Sequence, residues 1–160
     1  LPLLSRSDDP RAISVSSESH RFGRIRWNNL QLQGVYNGVA AYGQSKLANI
    51  LFVRELERRY RESHGIRSFA VDPGLVNTPI AEKNTGFLVR FVWRIRRKKG
   101  RSPEIPADTI AYLASEPGLP ETDGHYWRDR LPKRPAEHAM NDADAKRLWD
   151  LSEELCGIRN

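Results

Sequence analysis

The strongest limit on the fold is a strand–helix–strand succession in the first half of the chain. Ala12-Ile13-Ser14-Val15-Ser16 alternates and is β-branched, so it reads as a short buried strand. Ile66 to Val71 reads as a second. Between them, Ala41 to Ser63 sets Leu47, Ile50, Leu51 and Leu56 at helical spacing, with Arg and Glu dense on the other face, and Gly65 supplies the stop. Two strands joined by such a helix run parallel, because the connection is a crossover and not a hairpin. The alternation continues with a helix over Pro106–Ser115 (Ile110 and Leu113 inward) and a third strand over Gly124–Trp127. A last helix is capped by Asn141 or Asp142 and closed by Gly157. Its predicted inner face is Ala145, Leu148, Trp149, Ser152, Leu155 and Cys156. The expected class is α/β, with a small parallel sheet of about three strands. Such sheets are covered on both faces, and this chain offers few helices for the cover.

Composition removes several alternatives. The 160 residues suit one domain, and 39% hydrophobic with 29% charged residues describes a globular chain. The single cysteine, Cys156, excludes an internal disulfide framework and any multi-cysteine zinc site. His20, His64, His125 and His138 lack metal-ligand spacing, and no run of 18 apolar residues is present. His20 follows the first strand and reads as a solvated loop residue or as part of a cleft. The net charge of +6 comes from one place: Arg90, Arg94, Arg96, Arg97, Lys98, Lys99 and Arg101 hold seven of the 26 cations, with no acid between Phe87 and Arg101. That argues against a general nucleic-acid-binding surface.

Chemistry concentrates on the long helix. Tyr42 and Lys46 lie four apart, so they share a face about 6 Å apart along the axis. An ammonium this close favours the phenolate and equips the phenol to give or take a proton. Taken alone, the pair also reads as an exposed tyrosine beside a lysine. Its setting adds weight. Val15-Ser16-Ser17 ends one strand, and Asp72-Pro73-Gly74-Leu75-Val76-Asn77-Thr78 is a sharp turn after the next. In an open α/β sheet, ligands bind beyond the carboxyl ends of the strands. Two strand ends and one helix face would therefore converge on one cleft.

Val15-Ser16-Ser17, Tyr42-Gly43-Gln44-Ser45-Lys46-Leu47-Ala48-Asn49 and Asp72-Pro73-Gly74-Leu75-Val76-Asn77-Thr78, in that order, resemble the short-chain dehydrogenase/reductase family, in its retinol-dehydrogenase-like branch. The ending, Ala145 to Trp149 and Leu155 to Ile158, is similar to that branch as well. The resemblance implies a partial Rossmann-like, doubly wound parallel sheet, and an NAD(P)-dependent oxidoreductase that interconverts an apolar alcohol and its carbonyl. It makes Tyr42 the general acid and base, and makes Lys46 the residue that tunes Tyr42 and holds the nicotinamide ribose. Ser17 would polarise the substrate oxygen. Pro73, Gly74, Val76 and Thr78 would border the nicotinamide. The cofactor implied is NADP or NAD, with NADP favoured.

The family's glycine-rich turn and upstream asparagine have no counterpart, since no two glycines here lie two apart. The expectation is a single partial domain over 1–160, the C-terminal half of a longer enzyme, with little cofactor binding or turnover by itself. The strand at Ala12–Ser16 would then carry an unpaired, association-prone edge. The basic stretch 87–101 reads as a lid or solvated helix, or as a contact with an anionic membrane surface. The implied location is cytoplasmic, with peripheral membrane contact, and no nucleic-acid partner is expected. The resemblance also implies a homodimer through the Tyr42 helix. The competing reading is a non-catalytic α/β binding or dimerisation module that retains the motifs by descent.

Overall fold

The computed structural model describes residues 3–76, 100–120 and 125–158. Strand β1 (Arg11–Val15) leads through a 3-10 turn at Glu18–Arg21 and a loop into helix α1 (Gly38–His64). Strand β2 (Arg67–Val71), helix α2 (Glu104–Ser115), strands β3 (Tyr126–Arg128) and β4 (Leu131–Pro132), and helix α3 (Asp142–Leu155) complete the order.

Helix α1 starts ahead of the predicted Ala41 because Asn37 caps it, its side-chain oxygen accepting from the Val39 and Ala40 amides at 3.1 Å. It ends where predicted: Gly65 takes φ 66° and its amide donates to the Arg61 carbonyl at 2.8 Å. The sheet runs β1-β2-β3-β4. β1 and β2 pair in parallel with Val15 beside Val71, and β2 pairs in parallel with β3. β4, a fourth strand that the sequence reading did not place, pairs antiparallel with β3. The two-residue link between them, Asp129-Arg130, holds φ of 55° and 59°, the left-handed geometry of a tight hairpin built without glycine. Arg101 reaches Asp129 at 2.7 Å, Arg130 pairs with Asp108, and the Arg130 amide donates to Thr109 Oγ1 at 3.2 Å.

Alternation along β2 and β3 feeds two cores. Ala70 and Tyr126 face Leu47, Ile50, Leu51 and Val53 of α1, with Ala145 and Leu148 of α3 joining them. Phe69, Val71 and Trp127 point the other way, toward Leu113 and Leu119. One face is thus covered by α1 and α3, the other by α2.

At α3 the outcome differs from the expectation. Ala145 and Leu148 are buried, and Trp149 is half-buried, stacked on Phe52 with ring centroids 5.5 Å apart. Ser152 and Cys156 are exposed, and Leu155 is 60% exposed. Helical periodicity reveals which positions share a face. It carries no information on how far the neighbouring helix extends to cover them. Among the described residues, no helix is long and apolar enough to cross a membrane, and no cluster of His, Cys, Asp and Glu is placed to hold a metal ion. Most of the basic stretch 87–101 lies outside the described residues.

Candidate active site

Parallel pairing brings the carboxyl ends of β1 and β2 to one edge. The Ser16 amide donates to the Val71 carbonyl at 2.8 Å, so Ser17 and Asp72 leave the sheet side by side. Helix α1 is fastened to the same edge. Ser16 Oγ donates to the Lys46 carbonyl at 2.7 Å. Lys46 Nζ and Asn49 Nδ2 both donate to the Val15 carbonyl, at 3.0 and 2.9 Å. Burial favours the neutral amine and lowers the Lys46 pKa. Tyr42 stands one turn earlier, 43% exposed, with Lys46 Nζ 5.3 Å from its ring centroid.

Ser17 opens the 3-10 turn. Its Oγ accepts from the Ser19 amide at 3.3 Å and lies 3.4 Å from Ser19 Oγ. The Ser17 carbonyl accepts from the His20 amide at 3.0 Å and lies 2.7 Å from His20 Nδ1. On the far side of the ring, the Ala136 amide donates to His20 Nε2 at 2.9 Å. With Nε2 accepting, Nδ1 carries the proton and donates, so His20 is a neutral imidazole with its tautomer fixed. Burial lowers its pKa, in keeping with that assignment. His20 is fully buried, which corrects the solvated-loop reading: the loop folds back under residues far away in sequence.

Two glycines let this turn approach α1. A Cβ on Gly43 would stand 3.2 Å from the Ser19 carbonyl oxygen and 2.9 Å from the Phe22 ring, and a Cβ on Gly23 would overlap the Gly43 carbonyl oxygen. The Ser17 turn therefore rests on the helix one residue from Tyr42. Among the described residues, no hydrogen bond joins the Tyr42 hydroxyl to Ser17 or to Lys46; the three share an edge without direct bonds.

The turn after β2 is closed by its own acid. Asp72 Oδ1 accepts from the Gly74 amide at 2.9 Å, and Gly74 takes φ 68°. A Cβ there would come within 3.0 Å of the Arg128 guanidinium. Val76 bridges to Arg101, and the Arg101 amide donates to the Leu75 carbonyl at 2.8 Å. Thr78 lies outside the described residues. Sequence reasoning assigned no role to three supports, Asn49 on the Tyr42–Lys46 helix and the acids Glu18 and Asp72, and left His20 between solvent and cleft. Asn49 could have been found from its seven-residue offset from Tyr42, two turns along one face.

No family model matches the chain. Retinol dehydrogenase 11 from Homo sapiens is 35% identical over 158 residues, 99% of this chain and 49% of that protein. Retinol dehydrogenase 14 from Homo sapiens is 34% identical over 160 residues, 99% of this chain and 47% of that protein. Dehydrogenase/reductase SDR family member 13 from Bos taurus is 33% identical over 161 residues, 99% of this chain and 42% of that protein. The chain spans about half the length of the curated relatives it matches. The crystal structure of an uncharacterized protein from Mycobacterium paratuberculosis superposes with a TM-score of 0.58 at 30% identity, covering 91% of this chain and 49% of that one. With three ordered motifs gathered at one sheet edge and similarity along nearly its whole length, the chain belongs to the short-chain dehydrogenase/reductase family, where it resembles the retinol dehydrogenases.

Proposed function

We propose that this protein is an NAD(P)-dependent oxidoreductase that interconverts an apolar alcohol with its aldehyde or ketone. The observation that carries the reading is the fastening of the Tyr42–Lys46 turn to the end of β1, which keeps an exposed phenol and an ammonium beside the Ser17 turn. Tyr42 Oη gives its proton to the carbonyl oxygen in reduction and takes it back in oxidation. Ser17 Oγ donates to the same oxygen and holds it in place. Lys46 Nζ has three protons and spends one on Val15, leaving two for ribose hydroxyls. Pro73, Gly74 and Val76 would form the wall against which a nicotinamide ring lies, and the family resemblance adds Thr78 to that set. A bound NADP or NAD would supply or accept the hydride; the chain's part is orientation and proton transfer.

The names of the relatives support a retinoid-like, apolar substrate. We further propose a homodimer through α1, where Val39 is 65% exposed, and peripheral membrane contact through 87–101. Sedimentation as a monomer at micromolar concentration overturns the first, and failure to float with anionic liposomes at low salt overturns the second.

The test of the main reading is NADP(H)-dependent turnover of a long-chain alcohol by the intact protein and by its Tyr42→Phe variant. Loss of general acid catalysis lowers kcat by roughly 10²–10⁴-fold. Undiminished turnover by the variant removes Tyr42 from the chemistry.

A further inference from the structure

Beneath the proposed site lies a polar cluster that the reaction itself does not use. Lys133, the first residue beyond β4, donates from Nζ to Glu18 Oε1 at 2.8 Å and to Asp72 Oδ2 at 3.2 Å. Glu18 adjoins Ser17. Asp72 adjoins Pro73 and holds the Gly74 amide through its other oxygen. One ammonium thus bridges the two carboxylates that flank the two turns of the site. The Asp72 side chain is 1% exposed, Lys133 29% and Glu18 42%, so the bridge runs from a buried carboxylate outward to a half-exposed one.

Other contacts make the bridge specific. The Tyr126 hydroxyl donates to Glu18 Oε1 at 3.2 Å, and Arg21 pairs with Glu18 at 3.0 Å. Arg128 meets Asp72 Oδ2 at 3.4 Å. Burial pushes the Glu18 carboxyl up, but the hydrogen bonds from Lys133 and Arg21 outweigh it and hold the pKa at about 2. The segment beyond Lys133 grips the same turn through the main chain. Arg21 donates to the Arg134 carbonyl at 3.1 Å, and the Ala136 amide donates to His20. A lysine suits this place because three tetrahedral donors can serve two carboxylates from separate turns at once.

We propose that Lys133 is a positioning residue: by bridging Glu18 and Asp72 it fixes the Ser17 turn against the Pro73–Gly74 turn, so that the substrate oxygen and the nicotinamide wall stay in register. This rests on the oxidoreductase reading, and the test separates the two. In the intact protein, kcat and KM for alcohol oxidation are measured for Lys133→Met, Ser17→Ala and the double variant, with Lys133→Arg as the conservative control. A misplaced donor lowers kcat/KM of Lys133→Met by roughly ten- to a hundredfold. Ser17→Ala then costs far less in the Lys133→Met background than in wild type, and Lys133→Arg recovers most of the loss. Additive losses mean that Lys133 serves the fold alone and overturn the inference. If Lys133→Met does not fold, Glu18→Met removes one acceptor of the same bridge at similar size and enters the same cycle, where the same two outcomes decide. Should Ser17→Ala and Tyr42→Phe both leave turnover intact, the oxidoreductase reading fails first and takes this inference with it. A costly Ser17→Ala with additive Lys133 effects sinks the inference alone.

Discussion

Helix α1 is chemically two helices. Its first turns keep polar groups accessible: Tyr42 is 43% exposed, and Lys46 retains donors beyond its bond to Val15. Its last turns are occupied with their own acids. Fully buried Glu55 accepts from Arg58 at 2.7 and 2.6 Å and from Arg59 at 2.6 Å. Glu57 accepts from the Ser68 amide at 2.6 Å and from Arg61 at 2.7 Å, and it faces His125 at 3.3 Å. Burial raises the Glu57 pKa, yet His125, the Ser68 amide and Arg61 prevail and bring it to about 2. The two ends present similar residue types with opposite economies. A carboxylate surrounded by donors holds the helix to β2, whereas a phenol and an amine with spare capacity can serve a visitor.

The largest effect that would test this division is Glu57→Gln. Removing the charge from a carboxylate that accepts from the Ser68 amide and from Arg61 costs about 2.5 kcal/mol of stability. Urea unfolding should show that loss, while turnover of the folded intact protein stays at the wild-type level. A large drop in turnover would erase the division. Next comes Gly23→Ala at the site end, where the new methyl group meets the Gly43 backbone. Overpacking of this kind costs about 2 kcal/mol. Here turnover should fall along with the melting temperature, because the Ser17 turn is pushed from the helix. An unchanged kcat would show that the close approach does not position Ser17.

Acid should separate the ends in sequence. His20 has a lowered pKa, so its neutral form stabilises the fold above its unfolded value of 6.5. That contribution fades as pH falls through the folded value, where Nε2 gains a proton and can no longer accept from Ala136. The charged neighbours are Glu18, Arg21 and His138, with the Tyr126 ring edge-on at 4.9 Å. Glu57 keeps its contribution above pH 4.5 and loses it toward about 2. Amide shifts of residues 17–20 should therefore move at a higher pH than the helical circular dichroism does. Coincident transitions would contradict the separation. The smallest effect belongs to Cys156→Ser, where exposure predicts a change within about 0.5 kcal/mol by thermal melting.

Local patterns in the sequence made the framework legible. The apolar stripe of α1 came out buried as expected, Gly65 ended it, and β1 and β2 fell within a residue of their predicted spans. The spacing of the proposed pair was legible too: Tyr42 and Lys46 lie one helical turn apart, with Lys46 Nζ 5.3 Å from the Tyr42 ring centroid. What stayed hidden depends on contacts far apart in the chain. His20 meets Ala136, Lys133 meets Glu18 and Asp72, and Gly23 meets Gly43, and no local pattern encodes such meetings. The fourth strand was hidden for another reason. Asp129-Arg130 lacks the Asn-Gly or Asp-Gly signature of a two-residue hairpin.

That hairpin has a practical consequence. Two ordinary side chains are kept in a backbone shape that costs each roughly 1 kcal/mol, and Lys133 sits just beyond them. A protein engineer seeking a hardier fold would be tempted to install glycine at Arg130. The gain would come with the guanidinium deleted from its pairing with Asp108, so the tightest corner of the fold exchanges backbone ease for a brace between the hairpin and α2.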